Sequence, residues 1–238
     1  SYRGEVVDEW RFAFGVRTVR LVRTDTTDAQ GSGEFCFFVN GEKTYIRGTN
    51  WVPLDTFHSR DAERLDKALA LLWESNCNMV RCWGGGVYED HAFFDFCDRH
   101  GILVWQDFAM GCATYPQNEK FQREIAHEVE TIVKKLRRHP SIALWAGDNE
   151  CDVAAAYWEI VSGDPNENSI TRVTIPEVLR RVDPWRDFLP SSPYVSRAVY
   201  ASGDPNRMPE DHLWGPRGYY KGEYYVNSNA HFVSEMGA

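Results

Sequence analysis

The sequence predicts an α/β fold, a (β/α)8 or TIM barrel of which seven strands are visible. Three observations carry this. From residue 60 onward, amphipathic helical segments alternate with short apolar runs, the rhythm that builds a parallel sheet with right-handed crossovers. Most of these runs end in glycine or polar residues, at the carboxyl ends of strands where parallel α/β folds meet their ligands. Strand starts fall near residues 43, 78, 102, 141, 187, 211 and 231, whereas a closed barrel has eight strands in roughly 250 residues. Seven strands leave two open edges, so the chain is expected to be a piece of a longer protein that supplies strand 8. The alternative is an open doubly wound sheet. It is disfavoured because Gly84-Gly85-Gly86 lacks the Gly-x-Gly-x-x-Gly spacing of a phosphate loop.

Taken in order, Trp10–Arg23 alternates apolar and polar residues and predicts one or two strands, followed by a polar loop to Gly33. Glu34–Gly48 holds a hairpin, with Asn40-Gly41 between alternating runs. Arg60–Asn76 reads as a helix with Leu65, Ala68, Leu69, Leu72 and Trp73 on its apolar side. Asn78–Trp83 is a strand. Glu89–His100 is a helix, with Phe93, Phe94, Phe96 and Cys97 inward and Gly101 as C-cap. Ile102–Phe108 is a strand, Asn118–His139 a long helix, and the apolar run from Ile142 a buried strand. Thr174-Ile175-Pro176-Glu177 has the capping-box pattern and opens a helix to Val182. Phe188–Val195, Asp211–Gly215 and Phe232–Glu235 complete the strands.

Composition limits the function classes. A net charge of −9, from 26 basic and 35 acidic residues, argues against nucleic acid or an anionic membrane as partner. No apolar run is long enough to span a bilayer, and Ser1-Tyr2-Arg3-Gly4 does not open a signal peptide. The six cysteines form no Cys-x-x-Cys pair and read as buried free thiols, and the seven histidines show no ligand spacing, so no metal or other cofactor is expected. Nine Trp and eleven Tyr suit either a core or the apolar faces of sugar rings.

Chemistry is suggested by two strand ends. Ser141-Ile-Ala-Leu-Trp-Ala-Gly-Asp-Asn-Glu150 and His231-Phe-Val-Ser-Glu235 each carry a short apolar run to a glutamate. One such end alone is most simply a polar strand terminus. Two in one sheet are what glycoside hydrolysis needs: one carboxyl to protonate the leaving oxygen, one to attack the sugar.

Six stretches in order resemble the catalytic barrel of family 2 glycoside hydrolases, in the β-mannosidase pattern. They are Arg47-Gly-Thr-Asn-Trp-Val-Pro-Leu-Asp55, Met79-Val-Arg-Cys-Trp-Gly-Gly-Gly-Val-Tyr-Glu89, Phe94–Phe108 with its Trp105-Gln-Asp-Phe end, Cys112-Ala-Thr-Tyr-Pro116, His139–Glu150, and Phe232-Val-Ser-Glu-Met-Gly237. Asp148 departs from the pattern, where an asparagine is common. The resemblance implies that residues 1–33 are the tail of a β-sandwich (immunoglobulin-like) domain and that 34–238 are the catalytic barrel, truncated before strand 8. It also implies roles for particular residues. Glu150 is the general acid/base and Glu235 the nucleophile. Asn149 binds the sugar 2-hydroxyl, Arg81 holds the nucleophile ionised, and Trp83 lines the sugar subsite. Asp107 is a candidate for substrate binding or for a structural place at the barrel rim. Trp51, with Asn50 and Asp55, is expected at a strand end facing the site. Trp158, His212 and Trp214 are further substrate-binding candidates, with core packing or a loop as the alternative for each.

The activity so implied is that of a retaining exo-glycosidase acting on terminal β-D-mannosyl residues of an oligosaccharide or glycoside. Burial and the neighbouring negative charge are expected to keep Glu150 protonated while Arg81 keeps Glu235 charged. Two readings compete. One is another family 2 specificity: β-galactosidase, β-glucuronidase or exo-β-glucosaminidase. The other is a non-catalytic glycan-binding fragment.

Overall fold

The computed structural model describes residues 2–9, 14–28, 30–158, 162–215, 219 and 221–237. The chain first folds back on itself. Asn40 and Gly41 both take positive φ, 52° and 85°, the geometry of a two-residue hairpin turn whose twist matches its strands. They join β2 (Phe35–Val39) to β3 (Glu42–Thr44), and β1 (Val19–Arg23) pairs antiparallel on the other side of β2. The domain division expected after residue 33 therefore falls in the connection between two strands of one sheet. Of the alternating stretch Trp10–Arg23, only β1 is a strand among the described residues, and residues 10–13 lie outside them.

Five strands then build a parallel sheet in chain order: β4 (Gly48–Trp51), β5 (Met79–Cys82), β6 (Leu103–Asp107), β7 (Ile142–Ala146) and β8 (Asp187–Leu189). The first parallel strand thus starts at Gly48. Lys43, where it was expected, belongs to the hairpin, because Lys43 pairs back on Phe38. β9 (Glu210–Leu213) and β10 (Phe232–Met236) form a separate parallel pair. All seven expected parallel strands are present, but in two ladders: the sheet is α/β and is not closed into a barrel. β10 approaches β4, where Asn50 Nδ2 donates to Ser234 O (2.9 Å).

Alternation along the strands sorts the apolar residues into two layers. Met79, Trp105, Leu144 and Leu189 pack with Phe35 and Phe37 of the antiparallel sheet, which plugs the N-terminal end of the parallel strands. Val80, Cys82, Val104, Ile142 and Trp145 face the helices instead. Those they face are α1 (Leu65–Glu74), α2 (His91–His100), α3 (Glu119–Leu136), α4 (Cys151–Tyr157) and α5 (Ile175–Val182); α6 (Arg197–Ser202) and α7 (Glu223–Val226) lie outside this layer. α2 buries Phe93, Phe94 and Cys97 and ends at Gly101 in the left-handed conformation (φ 68°), as its sequence predicts. Asn118 caps α3 by accepting from Phe121 N (3.0 Å). Two expectations differ. Trp73 is 51% exposed rather than inward, packing its edge on His100 at the margin of α1. Thr174 caps nothing, because a π-helical turn over Ile170–Thr174 already runs into α5. No helix among the described residues is long and apolar enough to cross a membrane.

Candidate active site

The polar ends of β5, β6, β7, β9 and β10 converge at the C-terminal end of the sheet. Arg81 of β5 is the hub, with its side chain only 4% exposed. Its Nη1 donates to Glu235 Oε1 (2.5 Å) and to Asn50 Oδ1 (3.0 Å). Its Nη2 donates to Asp107 Oδ2 (2.7 Å) and to Asn149 Oδ1 (2.8 Å). Asp107 is held further by Trp105 Nε1 (2.9 Å) and by Gly84 N (3.0 Å). Burial pushes the Asp107 carboxyl up to about 6, against the pull of Arg81. Burial also works against the Arg81 charge, but Asp107 and Glu235 outweigh it and raise the guanidinium above its ordinary value.

Glu150 follows β7 in the left-handed conformation (φ 58°), at the start of α4. Its backbone N–H donates to Ser192 O (2.8 Å). His212 of β9 sets Nδ1 2.8 Å from Glu150 Oε1 and 3.5 Å from Glu235 Oε2. One carboxylate oxygen of each glutamate and this nitrogen all lie within 4.8 Å of one another. On the far side of the ring, Ser192 Oγ gives its hydrogen to Glu210 Oε1 (2.7 Å), so at 3.2 Å it accepts from His212 Nε2–H. Nδ1 and Oε1 at 2.8 Å then require a proton between them, since two lone pairs would repel.

This changes the expected electrostatics. Glu150 was expected to be held protonated by its surroundings. Burial does push its carboxyl up, but the hydrogen bond and charge of His212, helped by Cys112, win and hold it below the ordinary carboxylate range.

The remaining candidates divide. Trp214 joins the site, donating from Nε1 to Glu235 Oε2 (3.0 Å), although the residue is 46% exposed. Trp83 stands half-buried just past β5, its ring over Gly85. Trp51 does not face the site. It is buried against Phe93, and its indole N–H is taken by Glu89 Oε1 (2.9 Å). Asp55 pairs with Arg64 (2.8 Å) and not with the site. Trp158 ends α4 at 40% exposure, next to residues 159–161 outside the described set. All six cysteines are free, but only Cys82, Cys97 and Cys151 are buried; Cys36 and Cys77 are half-buried, and Cys112 is exposed with its Sγ 3.3 Å from Glu150 Oε2. Cys112, Ser192 and Glu210 were not singled out from the sequence, because they reach the site from loops or from behind His212.

Glu150, His212 and Glu235 are spaced closely enough to hold a cation, as are Asp95, Asp98 and His139. In the first group both Glu235 oxygens already accept, from Arg81 and Trp214, so the protein supplies the positive charge itself.

Residues 33–174 match a family described as glycosyl hydrolases family 2, TIM barrel domain. The chain is similar to β-mannosidase of Capra hircus, 33% identical over 93% of this chain and 26% of the relative. It is also similar to β-mannosidase B of Aspergillus fumigatus, 32% identical over 94% of this chain and 28% of the relative. Among solved structures, the β-D-mannosidase of Dictyoglomus thermophilum superposes with a TM-score of 0.81 at 34% identity, over 98% of this chain and 28% of that one. An exo-chitosanase of Amycolatopsis orientalis, at 22% identity and a TM-score of 0.62, shares the fold. The chain thus spans 26–28% of the length of these curated relatives. It belongs to glycosyl hydrolase family 2, and what it carries is TIM barrel domain of that family.

Proposed function

We propose that this chain carries the catalytic carboxylates of a retaining exo-glycosidase that removes terminal β-D-mannosyl residues. The observation that carries the reading is the pair Glu150 and Glu235, with oxygens within 4.8 Å across His212 and only Glu235 paired to Arg81. A retaining site has its carboxyl groups about 5–5.5 Å apart, close enough for one to bond the sugar. The mannosyl specificity is supported by relatives named β-mannosidase at 32–34% identity.

In this reading Glu235, ion-paired to Arg81, attacks the anomeric carbon while the leaving oxygen takes a proton from Glu150. That proton starts on the Nδ1–Oε1 hydrogen bond with His212. Substrate excludes water from the pair, and burial favours its neutral form, which puts the proton on Glu150. The glycosyl bond to Glu235 then removes one negative charge. Glu150, now ionised, deprotonates the incoming water, whose oxygen bonds the anomeric carbon as the bond to Glu235 breaks and frees its carboxylate, and the proton returns to the pair. Asn149, anchored by Arg81 Nη2 (2.8 Å), offers its amide to the sugar 2-hydroxyl.

The parent polypeptide is proposed to add upstream sandwich domains and an eighth barrel strand. A cavity of about 870 Å³ lies between β4 and β10, lined by Phe35, Met79, Trp105, Phe232 and Ser234. It is a seat for that strand.

The test is hydrolysis of a panel of 4-nitrophenyl β-glycosides by the longest natural polypeptide that carries this chain. Mannoside turnover that vanishes in Glu150→Gln and in Glu235→Gln is the expected result, a loss of at least about 10³-fold. Turnover of another glycoside would keep the mechanism and replace the sugar. No turnover of any of them would remove the catalytic reading and favour glycan binding.

A further inference from the structure

We infer that Cys112 positions the acid/base: its thiol donates to Glu150 Oε2 and fixes the oxygen that His212 leaves open. The inference rests on the two-glutamate reading above and extends it to a residue on the loop after β6.

Three observations carry it. The first is the division of labour on the carboxylate. His212 Nδ1 takes Oε1 at 2.8 Å, and Cys112 Sγ meets Oε2 at 3.3 Å. The second is connectivity. Sγ itself accepts from Asn149 Nδ2 (3.3 Å), and Asn149 Oδ1 accepts from Arg81 Nη2 (2.8 Å). A continuous chain of donors thus runs from the guanidinium that grips the nucleophile, through Asn149 and the thiol, to the acid/base. The third is the backbone. Cys112 and Glu150 both hold the left-handed conformation, with φ of 55° and 58°. Cys112 N donates to Asn149 O (2.8 Å), and Gly111 bridges to Asn149. Glycine adopts such a conformation freely. At these two positions the strain is borne by residues whose side chains meet each other, the pattern expected where side-chain direction matters to function.

A thiol suits this place. Burial and the Glu150 charge push Cys112 up to about 11, so it remains an S–H donor across the working range. It is a weak donor and a weak acceptor. It therefore steadies Glu150 without locking it in either of the protonation states through which the reaction must cycle.

The test uses the longest natural polypeptide that carries the chain. Cys112→Ala should lower kcat/KM about tenfold for alkyl or mannosyl leaving groups, which need a well-placed proton. It should change turnover of 2,4-dinitrophenyl β-mannoside, which needs none, by less than about twofold. The alkaline limb of the pH profile should move up in Cys112→Ala, where the carboxylate loses a donor. It should move down in Cys112→Ser, whose hydroxyl is the stronger donor, with activity otherwise kept. Equal losses on both leaving groups, or an unmoved alkaline limb, would overturn the inference while leaving the glycosidase reading intact. A second measurement needs no turnover: alkylation of Cys112 by iodoacetamide at pH 9, followed by peptide mass mapping. Glu150→Gln removes the charge that opposes the thiolate and should speed it several-fold. An unchanged rate would mean that the thiol does not sense Glu150, and the inference falls. Absence of glycoside turnover in the unsubstituted protein would remove the underlying reading, and the inference with it.

Discussion

Arg81 shows how much one side chain can hold. It is buried, and it satisfies Asp107, Asn149, Asn50 and Glu235 together. Breaking a buried ion pair from one side costs more than the pair is worth, because the abandoned charge stays buried. Arg81→Met should therefore destabilise the fold by about 3–5 kcal/mol in urea unfolding, and Arg81→Met/Asp107→Asn should recover part of that loss. Glu150 gives the pH signature. Its carboxyl is held below the ordinary value by His212, so between the two values the unfolded chain binds more protons than the folded one. Stability from this group is full above the ordinary carboxylate value and drains as pH falls through the lowered one. The slope of Tm against pH over that acid window should be shallower in Glu150→Gln than in the unsubstituted chain. Residues of this kind were legible because they end strands. Asn50, Arg81, Asp107 and Glu235 follow an alternation that sends them to the inner side. The strand-end position alone misplaces Trp51, which follows Asn50 by one residue and so, by that alternation, points to Phe93 and the helices. From sequence, "at the strand end" was readable; which of two adjacent residues faces inward was not.

The element that delivers Glu150 depends on a close backbone approach. Between β7 and Glu150 stands Gly147, where an added Cβ would lie 2.1 Å from Pro190 O and 3.0 Å from Pro190 C. Both are backbone atoms and cannot swing aside, and Gly147 N already donates to Leu189 O (2.8 Å). Gly147→Ala should push the ends of β7 and β8 apart, at about 1–3 kcal/mol by chemical denaturation. Turnover should fall as well, because Ser192 O, which anchors Glu150 N at 2.8 Å, moves with that segment. If Gly147→Ala leaves both stability and turnover unchanged, the approach is not the constraint it looks to be. At this scale the strands and helices were legible wherever period and turn chemistry agree, as in the Asn40-Gly41 hairpin and in α2 with its Gly101 cap. The reading failed at Thr174, where a capping-box pattern sits inside a helix that had already begun, one turn of π geometry earlier. Local patterns mark a helix start only if nothing upstream is helical, and neighbouring residues alone do not reveal that.

At the scale of the molecule, the count of seven parallel strands was legible, and so was the prediction that seven leave an edge. Their arrangement was not: the sequence does not tell that they form a ladder of five and a ladder of two, nor that an antiparallel sheet closes the N-terminal end. Those are long-range pairings. Val19–Arg23 against Phe35–Val39, and Phe232 against Phe35 and Trp105, bring together residues whose partners no short window contains. The seam between β4 and β10 is the consequence. Two strand edges face the cavity there, bridged by Asn50 and Ser234, and its lining is largely aromatic and apolar near the plug. Unpaired edges and exposed apolar walls make a seam the least protected part of a sheet. Amide hydrogen exchange should therefore be fast at Gly48–Trp51 and Phe232–Met236 in this chain alone, while β5, β6 and β7, paired on both sides, exchange slowly. In the longest natural polypeptide, an eighth strand seated in the cavity should slow both segments by several orders of magnitude, towards the global limit. Because Glu235 lies on β10, the same strand should steady the proposed nucleophile, so protection and turnover should appear together. Equal exchange at β4 and β10 in the two forms would mean that nothing occupies the seam, and the proposal of an eighth strand there would have to be given up.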